Sequence, residues 1–230
     1  MFTNRSMAGK QLAEKIDCFF DTLEGADRRS NLLVVGLPRG GVPVALEVAR
    51  KFCCPLEIIV AKKLPYPGQP ECAIGAVSSC GVVVLSPDVP KDYQWRTYIE
   101  GQRQTLLKQT NQAELQFYQH AGRLASPFIG KTVVVVDDGI ATGMTAAAAL
   151  ESVKQRGAAY VLMAAPVMSR EGYNHLSRYC DDVVALITPP DFRSVGQYYL
   201  DFEQTSDQEV INDLQQNMLF GPNPTQQYKK

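Results

Sequence analysis

Apolar residues along the chain fall into three patterns: helical spacing, short unbroken runs, and aromatic-polar mixtures with no period. In residues 4–23, Leu12, Ile16, Phe19, Phe20 and Leu23 recur at helical spacing, which predicts a packing helix with Asn4 or Ser6 as its N-cap. The run from Leu32 to Val35 ends at Gly36 and is followed by Leu37-Pro38-Arg39-Gly40-Gly41. It reads as a buried strand and a tight loop, with a helix over 42–51 carrying Pro43 in its first turn. Residues 56–60 form the next apolar run. Strand, loop, helix, strand is a βαβ unit, and it predicts a parallel sheet with helices on both faces.

Three prolines and a glycine in residues 64–71 predict irregular structure there, a loop over 64–72. Residues 73–77 and 82–85, separated by Ser78-Ser79-Cys80-Gly81, read as an added hairpin. Residues 93–117 place Trp95, Ile99, Leu106, Ala113 and Phe117 among polar positions, giving one long amphipathic helix or two shorter ones. The run from Val133 to Val136 is entirely β-branched, as a buried central strand requires. A helix is expected from Met144 to a stop at Gly157, then a strand over 160–165, a helix over 169–179 and a strand over 183–187. The tail beyond Thr188 is aromatic and polar. The expected architecture is α/β: one doubly wound, mainly parallel sheet in a single domain, with a core over 24–188, a helical insertion over 91–121 and a small C-terminal hood over 189–210.

With 230 residues and 45% hydrophobic content, the chain has enough apolar material for one such core. A formal net charge of -1 supplies no broad field for nucleic acid or an acidic membrane, so an anion site has to be built locally. The chain contains no apolar run of membrane-spanning length and no apolar stretch behind its first basic residues; a cytoplasmic protein is expected. Six cysteines without a CxxC pair and only two histidines, His120 and His175, leave little material for zinc or a catalytic triad.

The segment Val133-Val134-Val135-Val136-Asp137-Asp138-Gly139-Ile140-Ala141-Thr142-Gly143-Met144-Thr145 carries the candidate chemistry. Two carboxylates stand at the C-terminal end of a predicted strand, where ligands bind in open α/β sheets. Small residues then lead into a helix N-terminus, whose unpaired amides and dipole favour an anion. Carboxylates accept from hydroxyls, and amides donate to phosphate. Vicinal hydroxyls near a phosphomonoester satisfy both halves, and ribose 5-phosphate has them; Thr142 and Thr145 add hydroxyl donors.

This segment resembles the signature that binds 5-phosphoribosyl-1-pyrophosphate (PRPP) in type I phosphoribosyltransferases. The runs LPRGGVPVA at 37–45, AIGAV at 73–77, APV at 165–167 and VGQYYLDF at 195–202 are similar to a bacterial subfamily of phosphoribosyltransferase-like proteins whose acceptor is unassigned. The resemblance implies Mg-dependent transfer of the phosphoribosyl group from PRPP to a small nitrogenous acceptor, with no nucleic acid or membrane partner, and a homodimer. It implies that Asp137 and Asp138 bind the ribose hydroxyls and meet magnesium only through PRPP and water. By the same resemblance, residues 139–145 (Gly139, Ile140, Ala141, Thr142, Gly143, Met144, Thr145) cradle the 5-phosphate. Arg39, Gly40 and Gly41 match the pyrophosphate loop, and Lys62-Lys63 match the basic pair after a strand. Arg39, Lys63, Asp137 and Asp138 are the candidate catalytic residues; Asp191, Phe192, Val195 and Tyr199 are the candidate acceptor contacts. Gly139 departs from the apolar residue or serine usual at its place, and Pro65 replaces a usual glycine.

Other readings compete for the same residues. A hydrophobic strand ending in acids also suits a Walker B element, but no GxxxxGK[ST] is present, and Gly36, Gly40 and Gly41 do not make GxGxxG. Adjacent aspartates also occur in solvated turns, Arg39 and Lys62-Lys63 read equally as surface cations, and Tyr198, Tyr199 and Phe202 as plain hydrophobic cover. A PRPP sensor without transferase activity would carry the same binding signature.

Overall fold

The computed structural model describes residues 1–24 and 27–220; the last ten residues, counted in the single-domain expectation, lie outside them. Five parallel strands form the main sheet: β1 (Leu32–Gly36), β2 (Leu56–Ile58), β6 (Thr132–Val136), β7 (Tyr160–Val167) and β8 (Asp182–Ile187). Their order across the sheet is β2-β1-β6-β7-β8. Because side chains alternate across a strand, the valine run of β6 feeds two cores. Val134 and Val136 join Val34 and Leu162 beneath α1 (Arg5–Asp21) and α2 (Gly41–Phe52). Val133 and Val135 join Leu33, Val35 and Val161 beneath α4 (Met144–Gln155) and α5 (Arg170–Leu176). Both faces are covered, as continuous apolar strands require. Asn4 caps α1 by accepting from the Met7 amide.

Residues 64–66 and 69–72 correct the sequence expectation of a loop over 64–72, with a tight turn at 67–68 between them. They belong to a second, antiparallel sheet of β3 (Ala61–Tyr66), β4 (Gln69–Ser78) and β5 (Val83–Leu85). Proline lacks an amide donor and is tolerated in a strand at a bulge or edge; Pro65 sits where the β3–β4 register shifts. Gly68 makes the reversal at φ +75°, a conformation that only glycine takes without strain. Leu64, Ile74 and Val77 then pack with Leu106, Trp95 and Ile99 of α3, a single helix (Tyr93–Ala121) capped by Asp92 and by Gly122 at φ +69°. The tail also holds more order than its composition suggested. A short 3-10 helix (Val195–Tyr198) is followed by α6 (Asp207–Asn217), which starts with a full capping box of Ser206 and Glu209 and buries Val210 and Leu214.

The outer edge of β2 would expose unpaired amides, and side chains satisfy them. Asn217 accepts from the Leu56 amide (2.8 Å), the Tyr118 hydroxyl from the Ile58 amide (3.1 Å), and Glu114 from the Val60 amide just past the strand (2.9 Å). Glu57, fully buried on the same strand, accepts from Tyr118, from the Ser126 amide and from Arg123, itself almost inaccessible. Removing one partner of a buried pair strands the other charge. Arg123→Ala is therefore expected to lower the unfolding free energy by about 3–5 kcal/mol in urea titrations; a change within about 0.5 kcal/mol, typical of a surface site, would contradict this role.

Candidate active site

Strands β1 and β6 are neighbours in register, with Gly36 opposite Val136, so the loops that leave them touch at once. The Leu37 amide donates to the Val136 carbonyl (2.9 Å), and the Gly41 amide donates back to Leu37 (3.0 Å). The Pro38–Arg39 peptide is cis. A side chain at Gly41 would begin 2.8 Å from the Val136 oxygen and 2.9 Å from the Asp137 Cα, and one at Gly40 would collide with the Asp138 carboxylate. These two glycines are what lets the first loop lie on the acids.

Asp137 accepts the amide of Asp138 on its own Oδ1 (2.9 Å). Asp138 accepts from Arg5 Nε on Oδ2 (2.8 Å), and its carbonyl accepts from the Tyr199 hydroxyl (2.6 Å). Burial first, and the neighbouring Asp138 charge second, hold the Asp137 carboxyl well above the usual carboxylate range. Burial also raises Asp138, opposed by the guanidinium of Arg5. Two adjacent acids are here kept at an electrostatic cost.

Next along the chain, Ile140 bridges to Met168 after β7, donating to Val167 (2.9 Å) and accepting from Ser169 (2.8 Å). Ser169 also donates its hydroxyl to Ala141 O (2.5 Å). These bonds pin the loop from outside. Its end turns through Gly143 at φ +77° into α4, whose first amides have no intrahelical acceptor. Among the described residues the amides of Ala141, Thr142 and Gly143 donate to nothing. Gly139 has a local reason too: a side chain there would strike Val195 and Val167, since Val195 of the 3-10 helix lies on it.

Lys62 and Lys63 are successive strand residues, so they point opposite ways. Lys62 shares a cleft of about 670 Å³ with Pro38, Arg39, His120 and Asp207, and donates to Gln109 (3.1 Å). Lys63 shares another, of about 610 Å³, with Thr142, Met144, His175 and Arg178. The carboxylates of Asp137 and Asp138 line neither cleft; they lie between the glycine loop and Arg5. Arg39 stands half exposed, 3.5 Å from Asp207.

A family model described as "Phosphoribosyl transferase domain" matches residues 8–203. The chain belongs to the phosphoribosyl transferase family. It is 40% identical over 214 residues to "Putative phosphoribosyl transferase Rv0571c" of Mycobacterium tuberculosis strain H37Rv, and equally to its counterpart MT0597 in strain CDC 1551. Those alignments cover 92% of this chain and 46% of the relatives, so the chain spans about half their length. The crystal structure of TT1426 from Thermus thermophilus is similar at 36% identity, with a TM-score of 0.77, covering 96% of this chain and 99% of that one.

In this phosphoribosyl transferase chain, the acceptor candidates occupy different settings. Asp191 is exposed, its carbonyl accepting from Gln197 and Tyr198, and Phe192 stacks on Tyr198. Val195 covers Gly139. Tyr199 is buried between Phe2 and Phe202, which makes it part of the packing under the acids rather than an open ring face. Arg5, absent from the sequence reading, comes from the first turn of α1; a contact spanning 133 residues leaves no local signal. Among the described residues, no helix is long and apolar enough to cross a membrane, and no three metal-ligating side chains cluster.

Because burial and the Asp138 charge favour a neutral Asp137 in the folded state, the contribution of this carboxyl to stability is full at low pH and is lost as pH rises from the unfolded carboxylate value through its raised folded value. Asp137→Asn keeps the oxygen and loses the charge. It is expected to raise the melting temperature of the ligand-free protein at pH 8 more than at pH 4, each kcal/mol appearing as about 2–4 °C. A melting temperature lowered at both pH values would show that the charge is not strained.

Proposed function

We propose that this chain transfers the 5-phosphoribosyl group of PRPP to a nitrogenous acceptor and releases pyrophosphate. The observation that carries this reading is the contact of the Gly40-Gly41 loop with the Asp137-Asp138 pair, beside a helix whose first amides are free. The ribose 2- and 3-hydroxyls donate to Asp137 and Asp138. The 5-phosphate accepts from the amides of residues 141–145 and from Thr142 and Thr145, with Lys63 on the same side of the loop. Pyrophosphate lies against Gly40 and Gly41, where Arg39 offers a planar fork and Lys62 a point charge. The C1–oxygen bond breaks and its electrons leave with pyrophosphate. The acceptor nitrogen forms the new bond to C1 and loses a proton to solvent.

Such a reaction needs charge stabilisation on the leaving group more than it needs a strong base, so fixed cations and oriented amides do most of the work. The acids hold the ring, and the ionised Asp138 offsets positive charge growing at C1. With Arg5 on Asp138 and no third ligating side chain nearby among the described residues, the pair suits magnesium held through PRPP oxygens and water. Bound there, magnesium would neutralise pyrophosphate. Asp191, Phe192 and Val195 are the acceptor-side residues of the hood, with Tyr199 beneath them, and the cytoplasm is the proposed location.

PRPP with magnesium at a hundred times its dissociation constant should stabilise the protein by about 2.7 kcal/mol, read as a rise in melting temperature. Asp137→Asn with Asp138→Asn should abolish that rise, and a rise of unchanged size would remove the acids from the site. Screening nitrogenous compounds for PRPP-dependent pyrophosphate release should find an acceptor. No release from any compound, with the thermal rise intact, would make the chain a PRPP sensor instead.

A further inference from the structure

Arg5 is held on three sides. Its Nε donates to Asp138 Oδ2 (2.8 Å), its Nη1 donates to the Glu203 carbonyl (2.6 Å), and its guanidinium lies 4.1 Å from the centre of the Phe202 ring. Its side chain is only 13% exposed and that of Asp138 only 14%. An arginine in such a place is not a solvated rotamer that happens to touch an acid. The contact with Asp138 is also single: one nitrogen meets one oxygen, and Asp138 Oδ1 accepts no hydrogen bond among the described residues. The guanidinium therefore fixes the carboxylate without using up its capacity to accept.

We infer that Arg5 is a positioning residue of the phosphoribosyl site, holding Asp138 ionised and turned so that its second oxygen is free to accept from a ribose hydroxyl. This rests on the reading that the acid pair takes the diol. Two successive carboxylates in a partly buried niche tend to share a proton, because burial and mutual repulsion both disfavour the second charge. A shared proton would halve what the pair offers to two hydroxyl donors. The groups facing Asp138 are Asp137 on its own loop, Arg5 from α1 and the Tyr199 hydroxyl after the 3-10 helix. From the glycine loop the backbone of Gly40 comes against the Asp138 carboxylate, and Glu209 of α6 lies within the field of the guanidinium. Arg5 is the one cation in this set, and it favours the ionised form of both acids against their burial. The same side chain ties the N-terminal helix to the hood segment at Glu203.

The test uses the full chain and compares the parent with Arg5→Gln, Arg5→Lys and Phe202→Leu, measuring affinity for PRPP with magnesium by calorimetry over about pH 5 to 9. Protonation of Asp138 should weaken binding as pH falls. Without the cation that protonation comes earlier on the way down, so Arg5→Gln should move the midpoint of the acid limb up by about one to three pH units, with the smallest loss of affinity at the alkaline end. Arg5→Lys should return most of the midpoint, and Phe202→Leu, which removes the stacking but not the charge, should leave it in place. An equal loss at every pH with an unmoved midpoint would mean that Arg5 only braces the fold, and would overturn the inference. A second readout needs no PRPP: carbon-13 NMR titration of the Asp138 carboxyl in the ligand-free protein should show a higher midpoint in Arg5→Gln, and an unchanged one would also overturn it. If that midpoint rises while the parent binds no PRPP at any pH, the coupling is real but the diol reading fails, and with it the role assigned to Arg5.

Discussion

Two carboxylates set side by side in a half-buried niche repel each other, and the surroundings of the β1 and β6 strand ends are arranged to hold them there. The parallel register that puts Gly36 opposite Val136 delivers both loops to one place. Gly40 and Gly41 let the first loop lie directly on the acids. Arg5 supplies a compensating charge and Tyr199 a hydrogen bond to the Asp138 carbonyl. Keeping two acids here has an electrostatic cost, burial and the Asp138 charge both raising Asp137, as at sites built to bind charge-complementary ligands. Hydroxyl donors from a ligand would relieve the same strain, which is the physical ground for the proposed diol.

The N-terminus and the C-terminal segment close over this point together. Phe2 pairs with Tyr199 as a short parallel bridge, and its amide donates to Tyr198 (2.7 Å). Phe2, Tyr199 and Phe202 form a small aromatic stack beneath the acids, and Val195 presses on Gly139. A residue with a side chain at Gly139 would lift the 3-10 helix away, so the departure from the usual family pattern at that position follows from how this hood is seated.

The central architecture was legible because its signals are local. Four successive valines, a glycine after each of two strands and helical spacing near Asn4 mark β6, β1 and α1 without any tertiary information. The hairpin at residues 61–78 was hidden because three prolines argue against a strand, and only the bulge at Pro65 and the apolar face offered by α3 reconcile them. Helix α6 was missed although Ser206 and Glu209 carry the capping-box spacing; the polar composition around them outweighed it. In the site, the acids and the loop into α4 could be read from residue order alone. The divergence of Lys62 and Lys63 follows from strand alternation, yet it stays invisible until residues 61–66 are known to be a strand. Arg5 could not be read at all, since its partner is set by folding.

NMR titration of the isotope-labelled protein with ribose 5-phosphate tests most directly whether diol and phosphate are gripped together at this strand end. The amides of residues 140–145 and the carboxyls of Asp137 and Asp138 should shift together, with one dissociation constant. Shifts confined to the cleft of Arg39 and Lys62, with the acids and the α4 amides unmoved, would contradict it.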